Sequence, residues 1–400
     1  MINLEISPKL ATLVDQARQA ALAFLRPNSR KYDQAEHTYP TELDTLASLL
    51  DGLSASGGGA GAAGVRKAKK TSKGVVNGAN MSLAVGTMEM CWGDAGLLLA
   101  MPRQGLGNAA IASVGNDDQV ARYKGKWAAM AITEPDTGSD SGAIRTTAVR
   151  DGDDYVLNGE KIFVTSGERA DCVVVWATLD RTKGKAAIKS FVVDRDTPGF
   201  ELVRLEHKLG IRASDTAHFR LTNARVPARN LLGTPDILPD QGFAGVMQTF
   251  DNTRPLVAAM AVGITRAALE KTRELLTEAG ITIDYDRPPH TQPAAAAAFL
   301  TMEADYESAY LLTLQAAWMA DNGKPNSLQA SYAKAKAGRS ATDITLRCVE
   351  LCGTVGYNEQ SLLEKWSRDA KIMDIFEGTQ QIQQLIIARR LLGKTSAELK

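Results

Sequence analysis

The chain has 400 residues, 44% hydrophobic and 23% charged, which suits a globular protein of more than one domain. Its 46 basic and 46 acidic residues balance, which argues against a nucleic-acid-binding surface, since such surfaces carry a basic excess. The opening "MINLEISPKLATLVDQ" has no basic region followed by an apolar run, so no signal peptide is expected, and no uncharged apolar stretch is long enough to span a bilayer.

Residues 1–126 read mainly as helix. "SPKLATLVDQARQAALAFL" spaces Leu10, Leu13, Val14, Ala17 and Ala21 at the helical period, with Ser7 as cap and Pro8 in the first turn. "MSLAVGTMEMCWGDAGLLLAM" reads as a second, more buried helix. Residues 127–235 change character. "AAMAIT", "TTAVR", "YVLNGEKIFVTSG", "CVVVWATL", "KSFVVD" and "HFRLTNARV" are short β-branched and aromatic runs between turn signals such as "RDGDD" and "DTPG". Such spacing suggests a β-sandwich or barrel, not alternating βαβ units. Residues 236–400 return to the helical period. One helix ends near Gly280, and "ITIDYDRPPHTQP" is a proline-rich loop. Two long helical patterns follow, and a last helix runs from about Thr379 to Leu392, with Ile382, Leu385 and Ile386 on one face. The fold class is α+β and multi-domain: helices, a β domain, then a helical bundle.

Several short stretches invite a chemical reading. "GGGAGAAG" holds Gly59, Gly61 and Gly64 in a formal dinucleotide-binding spacing, but helix precedes it and no acid follows about 20 residues on, so a surface loop is expected. "AITEPDTGSDSG" ends a strand at Thr133 and then places Gly138, Ser139 and Gly142 in a tight turn. Its exposed N–H groups could cradle a phosphate or the edge of a ring, or simply close a hairpin. In "NGEKIFVTSG", strand alternation puts Phe163 and Thr165 on one face. "TFDNTRP" sets Asp251 and Arg254 at a helix start, as a salt bridge or a ligand contact. Glu377 in "DIFEGTQQIQQLI" is either a helix-capping acid or a catalytic base. Cys91, Cys172, Cys348 and Cys352 are too scattered for a disulfide framework, which points to reduced thiols and the cytoplasm. The four histidines show no metal-ligand spacing, so no metal site is expected.

In this order, "GNDDQVARYKGKWAAMAITEPDTGSD", "YVLNGEKIFVTSG", "DTPGF", "FDNTRPLVAAMAVG" and "RDAKIMDIFEGTQQIQQLIIAR" resemble the acyl-CoA dehydrogenase family. The likeness runs from about residue 115 onward, is poor near 278–298, and is weak over the first 110 or so residues. It implies an N-terminal helical domain, a middle β domain and a C-terminal four-helix bundle, with FAD between the last two. It also implies desaturation of an acyl-CoA between Cα and Cβ, with electrons passed to an electron-transferring flavoprotein. By the same resemblance Glu377 is the base. Ile132, Thr133, Gly138 and Ser139 form the flavin-binding loop, with Ser139 also near the substrate. Phe163 covers the flavin and Thr165 sits near its N5. Phe250, Asp251, Arg254 and Gly378 contact the acyl-CoA, while Gly353, Thr379 and Gln381 make further cofactor contacts. A flavin monooxygenase or oxidase on the same fold, or a partner subunit of a mixed assembly, is the alternative.

The chain also departs from the family's pattern. An Arg-x-x-Phe-Gly element that usually reaches the neighbouring subunit's FAD is absent from "LTEAGITIDYDRPPHTQP", where Arg287 is the nearest substitute. Glu350 in "ELCGT" stands where a donated Gln is usual. Both departures fall on the half-site given to a neighbour. They raise two arrangements, a homo-oligomer binding FAD by other contacts and a hetero-oligomer in which a related subunit supplies the arginine.

Overall fold

The computed structural model describes residues 8–55, 77–102, 106–237, 244–395 and 398, without the side chains of 9, 50–55 and 244–252. Ser7 and the glycine-rich stretch 57–64 lie outside the described residues. The first helix, α1 (Pro8–Ala20), continues through a π-helical turn at Ala21–Leu25. Next come α2 (Ser29–Gln34) and α3 (Glu42–Ala55). The apolar run expected as one helix is two, α4 (Ala79–Gly93) and α5 (Ala95–Leu99). Asp94 divides them: its backbone is extended, and its carboxylate accepts from Leu97 N at 2.8 Å, capping α5. The short helices α6 (Leu106–Val114) and α7 (Asp117–Arg122) lead to the sheet, the latter opened by a capping box between Asn116 and Gln119.

The strands are β1 (Ala128–Ala131), β2 (Thr147–Asp151), β3 (Asp154–Thr165), β4 (Cys172–Thr178), β5 (Ile188–Asp194), β6 (Phe200–Leu205) and β7 (Thr216–Pro227). They form one seven-stranded sheet in the order β1-β4-β2-β3-β7-β6, with β5 antiparallel on β4. β6 escapes the sequence pattern because "FELVRL" buries only Phe200. β4 is buried along its whole length because both faces are covered. Val173, Val175 and Ala177 pack with Phe191 and Val193, while Cys172 and Val174 meet Ala110, Ile111 and Tyr123 of the preceding helical segment.

The remaining helices are α8 (Ala244–Glu278), α9 (Ala294–Asp321), α10 (Ser327–Tyr357), α11 (Leu363–Ala370) and α12 (Gln380–Leu392). α8 stops where expected: Gly280 takes φ 75° and Ile281 N bonds Leu276 O at 2.8 Å. The principal apolar core is shared across the chain, joining Met88 and Cys91 of α4 to Ile264 of α8, Phe299 of α9 and Ile344 of α10. A buried ion cluster ties the cap of α5 to α11 and to the segment beyond β6. Lys365 Nζ lies 2.7 Å from Asp94 and 2.5 Å from Asp369, and Asp369 accepts from Ile211 N beyond β6. Burial of this kind is tolerated only when the charges are paired, and here one ammonium sits between two carboxylates.

Candidate active site

The structure gathers the candidate residues into two groups, one on the sheet and one on the bundle. On the sheet, the segment after β1 is pinned to β3 by the bond from Ile162 N to Thr133 O, 2.9 Å. Glu134, nearly buried, organises the loop from inside. Its carboxylate accepts from Arg145 N (2.6 Å), Thr146 N (2.9 Å), Thr146 Oγ1 (2.6 Å) and the ammonium of Lys161 (2.7 Å). Lys161 is wholly buried and also donates to Ile132 O at 3.1 Å. The paired ammonium holds the Glu134 carboxyl below its ordinary value against burial, while burial brings the Lys161 ammonium down to about 8. Ile132 and Thr133 are half-buried at the base of this loop, and Gly138 and Ser139 are exposed at its tip.

Phe163 and Thr165 require a correction to simple alternation. Between the pairs Lys161–Phe219 and Val164–Ala217 the register slips by one residue, a β-bulge. Phe163 sits in that bulge with φ 59°, a left-handed conformation uncommon outside glycine, and its ring is 60% exposed. Thr165 is half-buried beside it, and Ser166 follows with φ 58° and bonds Asp215 O from its N–H at 3.1 Å. A large aromatic side chain is thus left uncovered at the bulge.

On the bundle, Glu377 does not cap α12. Thr379 does, its side chain accepting from Ile382 N at 3.4 Å. Glu377 and Gly378 instead form a left-handed turn with φ values of 57° and 91°. For a non-glycine residue this conformation is costly by roughly 1–2 kcal/mol, and such strain clusters at functional sites. Thr253 Oγ1 of α8 donates to Glu377 Oε2 at 2.7 Å. The residue is half-buried, and desolvation is the dominant influence on its carboxyl, pushing it above the ordinary value. The Thr253 hydroxyl and the cations of Arg254 and Lys334 pull the other way. Gly378 is favoured by its φ of 91°, and a Cβ there would also stand 2.5 Å from Gln383 Nε2 and displace that donor.

The other candidates fall as follows. Arg254 is almost fully buried, 3% exposed, beside Pro255, which interrupts the hydrogen bonding of α8. The side chains of Phe250 and Asp251 lie outside the described residues. Gln381 is exposed on the first turn of α12, and Gly353 is exposed where φ 56° breaks α10 near its end. Leu385, expected on the apolar face of α12, is 52% exposed, and Gln380 and Gln383 are buried in its stead. Arg287 is exposed and donates to Thr291 O at 2.8 Å within its own loop, while Glu350 pairs with Arg347 at 2.6 Å. Sequence reasoning missed Glu134, Lys161, Thr253, Lys334 and Gln383. Each was visible as a polar residue on a buried strand or helix face, or within a motif already noticed.

These residues fit a flavin. The exposed Phe163 ring offers a stacking face. No carbonyl among the described residues takes the N–H of Gly138 or Ser139, which leaves them for a ring edge or phosphate. Family models agree with the fold. The "Acyl-CoA dehydrogenase, middle domain" model matches residues 129–224 and the "Acyl-CoA dehydrogenase, C-terminal domain" model matches 240–392. The short-chain specific acyl-CoA dehydrogenase of Clostridium acetobutylicum is 36% identical over 315 residues, covering 77% of this chain and 81% of that protein. Butyryl-CoA dehydrogenase from Megasphaera elsdenii superposes with a TM-score of 0.83 at 29% identity, over 98% of this chain and all (100%) of the other. A chain solved in work on the electron-transferring flavoprotein of Acidaminococcus fermentans gives the same score and identity, again over 98% and 100% of the two chains. This chain belongs to the acyl-CoA dehydrogenase family, and it is an FAD-dependent oxidoreductase acting on acyl-CoA.

Proposed function

We propose that Glu377 is the base that removes the α-proton of the acyl-CoA thioester. The supporting observation is its carboxylate, set in a strained left-handed turn, pushed above its ordinary value by burial and steered by the Thr253 hydroxyl. A raised carboxylate is the stronger base, provided neighbouring charge keeps it ionised near neutral pH. No carbonyl among the described residues accepts from Glu377 N–H, which leaves it for the oxyanion that develops on the thioester. Bound FAD supplies the acceptor for the β hydrogen. Thr133, Gly138, Ser139 and Phe163 hold it from the sheet side, with Ile132 and Thr165 beside them, and Gly353, Thr379 and Gln381 as outer contacts. Arg254, Gly378, Phe250 and Asp251 border the acyl-CoA.

The names of the relatives support a short acyl chain. The likeness to a chain solved in work on an electron-transferring flavoprotein supports such a protein as electron acceptor. A cytoplasmic enzyme fits the four free cysteines, and no helix among the described residues is long and apolar enough to cross a membrane. Arg287, already engaged within its own loop, favours a mixed assembly in which a related subunit provides the cation that a neighbour's FAD requires. Flavin content of the chain expressed alone separates the two assemblies: full occupancy and activity without a partner would exclude the mixed one.

The deciding experiment is an acyl-CoA panel with a dye acceptor, comparing wild type with Glu377→Gln. The expected result is a loss of roughly 10²–10⁴-fold in the variant with flavin retained. A variant that desaturates at the wild-type rate removes Glu377 from the chemistry.

A further inference from the structure

Lys334 lies in "SYAKAKAGRS" on α10, on one helical stripe with Ala330, Ala337 and Ala341, all of them buried. An ammonium on such a stripe is costly to desolvate, so its surroundings must use it. It is wholly buried, and its Nζ donates to Gly378 O at 2.7 Å. From the opposite side Gln383 Nε2, also wholly buried, donates to Glu377 O at 3.2 Å and Gly378 O at 3.1 Å. Two donors from two helices therefore converge on the carbonyls of the left-handed turn. α10 also approaches that segment at Gly338, where a Cβ would stand 2.5 Å from Met373 O.

Among the described side chains, Arg254 of α8 and Lys334 of α10 are the charges that act on the Glu377 carboxylate. Asp374 lies in the 3-10 turn before it. Asp374 is held by Arg339 at 3.2 Å and Lys371 at 3.1 Å, and it also attracts Lys334. Burial brings the Lys334 ammonium down to about 8, so it is charged over the acidic range in which a carboxyl titrates. Its hydrogen bond goes to a carbonyl, not a carboxylate, and its field reaches Glu377.

We propose that Lys334 is a positioning residue for Glu377. Its ammonium fixes the Glu377–Gly378 turn through the Gly378 carbonyl and favours the ionised form of the carboxylate. The inference rests on the reading of Glu377 as the base.

The test uses the FAD-loaded enzyme and the pH profile of kcat/KM, with flavin absorbance as the check on folding. Removing a nearby cation destabilises the carboxylate, so in Lys334→Met and Lys334→Gln the acidic limb moves to higher pH by roughly one unit. Lys334→Gln keeps a donor, and its plateau rate exceeds that of Lys334→Met several-fold. Gln383→Leu loosens the same turn without changing charge; it lowers the plateau and leaves the limb in place. If the limb stays put in folded, flavin-loaded Lys334→Met and Lys334→Gln while Glu377→Gln is inactive, the role of Lys334 is overturned and the base stands. If Glu377→Gln keeps the wild-type rate, both fall. Should neither lysine variant load flavin, Lys334→Arg decides. It keeps the charge and displaces the donor, so the limb stays in place and the plateau falls; a plateau at the wild-type level overturns the proposal.

Discussion

The loop of residues 133–146 and the turn of residues 376–379 are each pinned by a wholly buried lysine, Lys161 in one and Lys334 in the other, and burial brings both ammonium groups down to about 8. They differ in what the lysine meets. Lys161 meets the Glu134 carboxylate at 2.7 Å, inside a set of donors that satisfies both carboxylate oxygens. That pair is locally neutral, and its effect is to shape backbone. Lys334 meets a carbonyl, so its charge stays uncancelled at hydrogen-bond range and acts on Glu377. The same residue type thus gives a structural pin on the sheet and an electrostatic one on the bundle.

The sharpest way to break this comparison is to remove each lysine. Lys161→Met strands the Glu134 carboxylate in the interior, and losing one partner of a buried pair costs about 3–5 kcal/mol. Lys334→Met removes one of two donors to Gly378 O, leaves the Gln383 bond in place, and costs about 0.5–1.5 kcal/mol. Urea denaturation of the two flavin-loaded variants measures both. Equal costs, or a reversed order, would mean that the two pins do not differ in kind.

A smaller effect separates the two segments by how closely they are packed. At Gly338 the neighbour is backbone, Met373 O, so Gly338→Val forces residues 373–377 to move. We expect a loss of about 1–3 kcal/mol and a lower kcat, because the displaced segment carries Glu377. At Gly142 the neighbour is the flexible stem of Lys185, which can swing away. Gly142→Ala should change stability by no more than about 0.5 kcal/mol. Thermal unfolding of both variants, with kcat on the same samples, makes the comparison.

How legible each segment was in the sequence follows from the same contrast. Element types could be read from period: α8 to its glycine stop at Gly280, and β4 from its unbroken apolar run. The break at Asp94 could not, because apolar residues flank it and only its capping bond to Leu97 N reveals it. Glu377 was legible as an acid in an unusual setting, since "FEGT" places a charge between an aromatic residue and a glycine. Its left-handed turn and the residues behind it were not. Lys334 and Gln383 share their helix faces with alanine and isoleucine, and a lone polar residue on such a face reads as solvent-facing until its partner, here a carbonyl more than forty residues away from Lys334, is known. Phe163 was legible as a flavin-covering ring only through the family resemblance, and neither its exposure nor its bulge was, because alternation carries no sign of an inserted residue.

The smallest effect sharpens the contrast between the two carboxylates themselves, because each accepts from a threonine hydroxyl. Thr253 Oγ1 donates to Glu377 at 2.7 Å and Thr146 Oγ1 to Glu134 at 2.6 Å. A donor favours the ionised carboxylate, so the Thr253 hydroxyl holds Glu377 lower than burial alone would leave it. Thr253→Val removes the donor at nearly constant volume. The carboxyl rises, and the acidic limb of kcat/KM moves to higher pH by about half a unit to one unit, the equivalent of one hydrogen bond at 1.36 kcal/mol per unit. Thr253→Ser keeps the hydroxyl and should leave the limb where it is. Thr146→Val removes the corresponding donor from Glu134, whose charge is already met by Lys161 and which takes no proton from the substrate. Its limb should not move at all, and any loss should appear as stability. A limb displaced equally by Thr146→Val would show that the loop carboxylate, not the turn, sets the pH at which the enzyme begins to work.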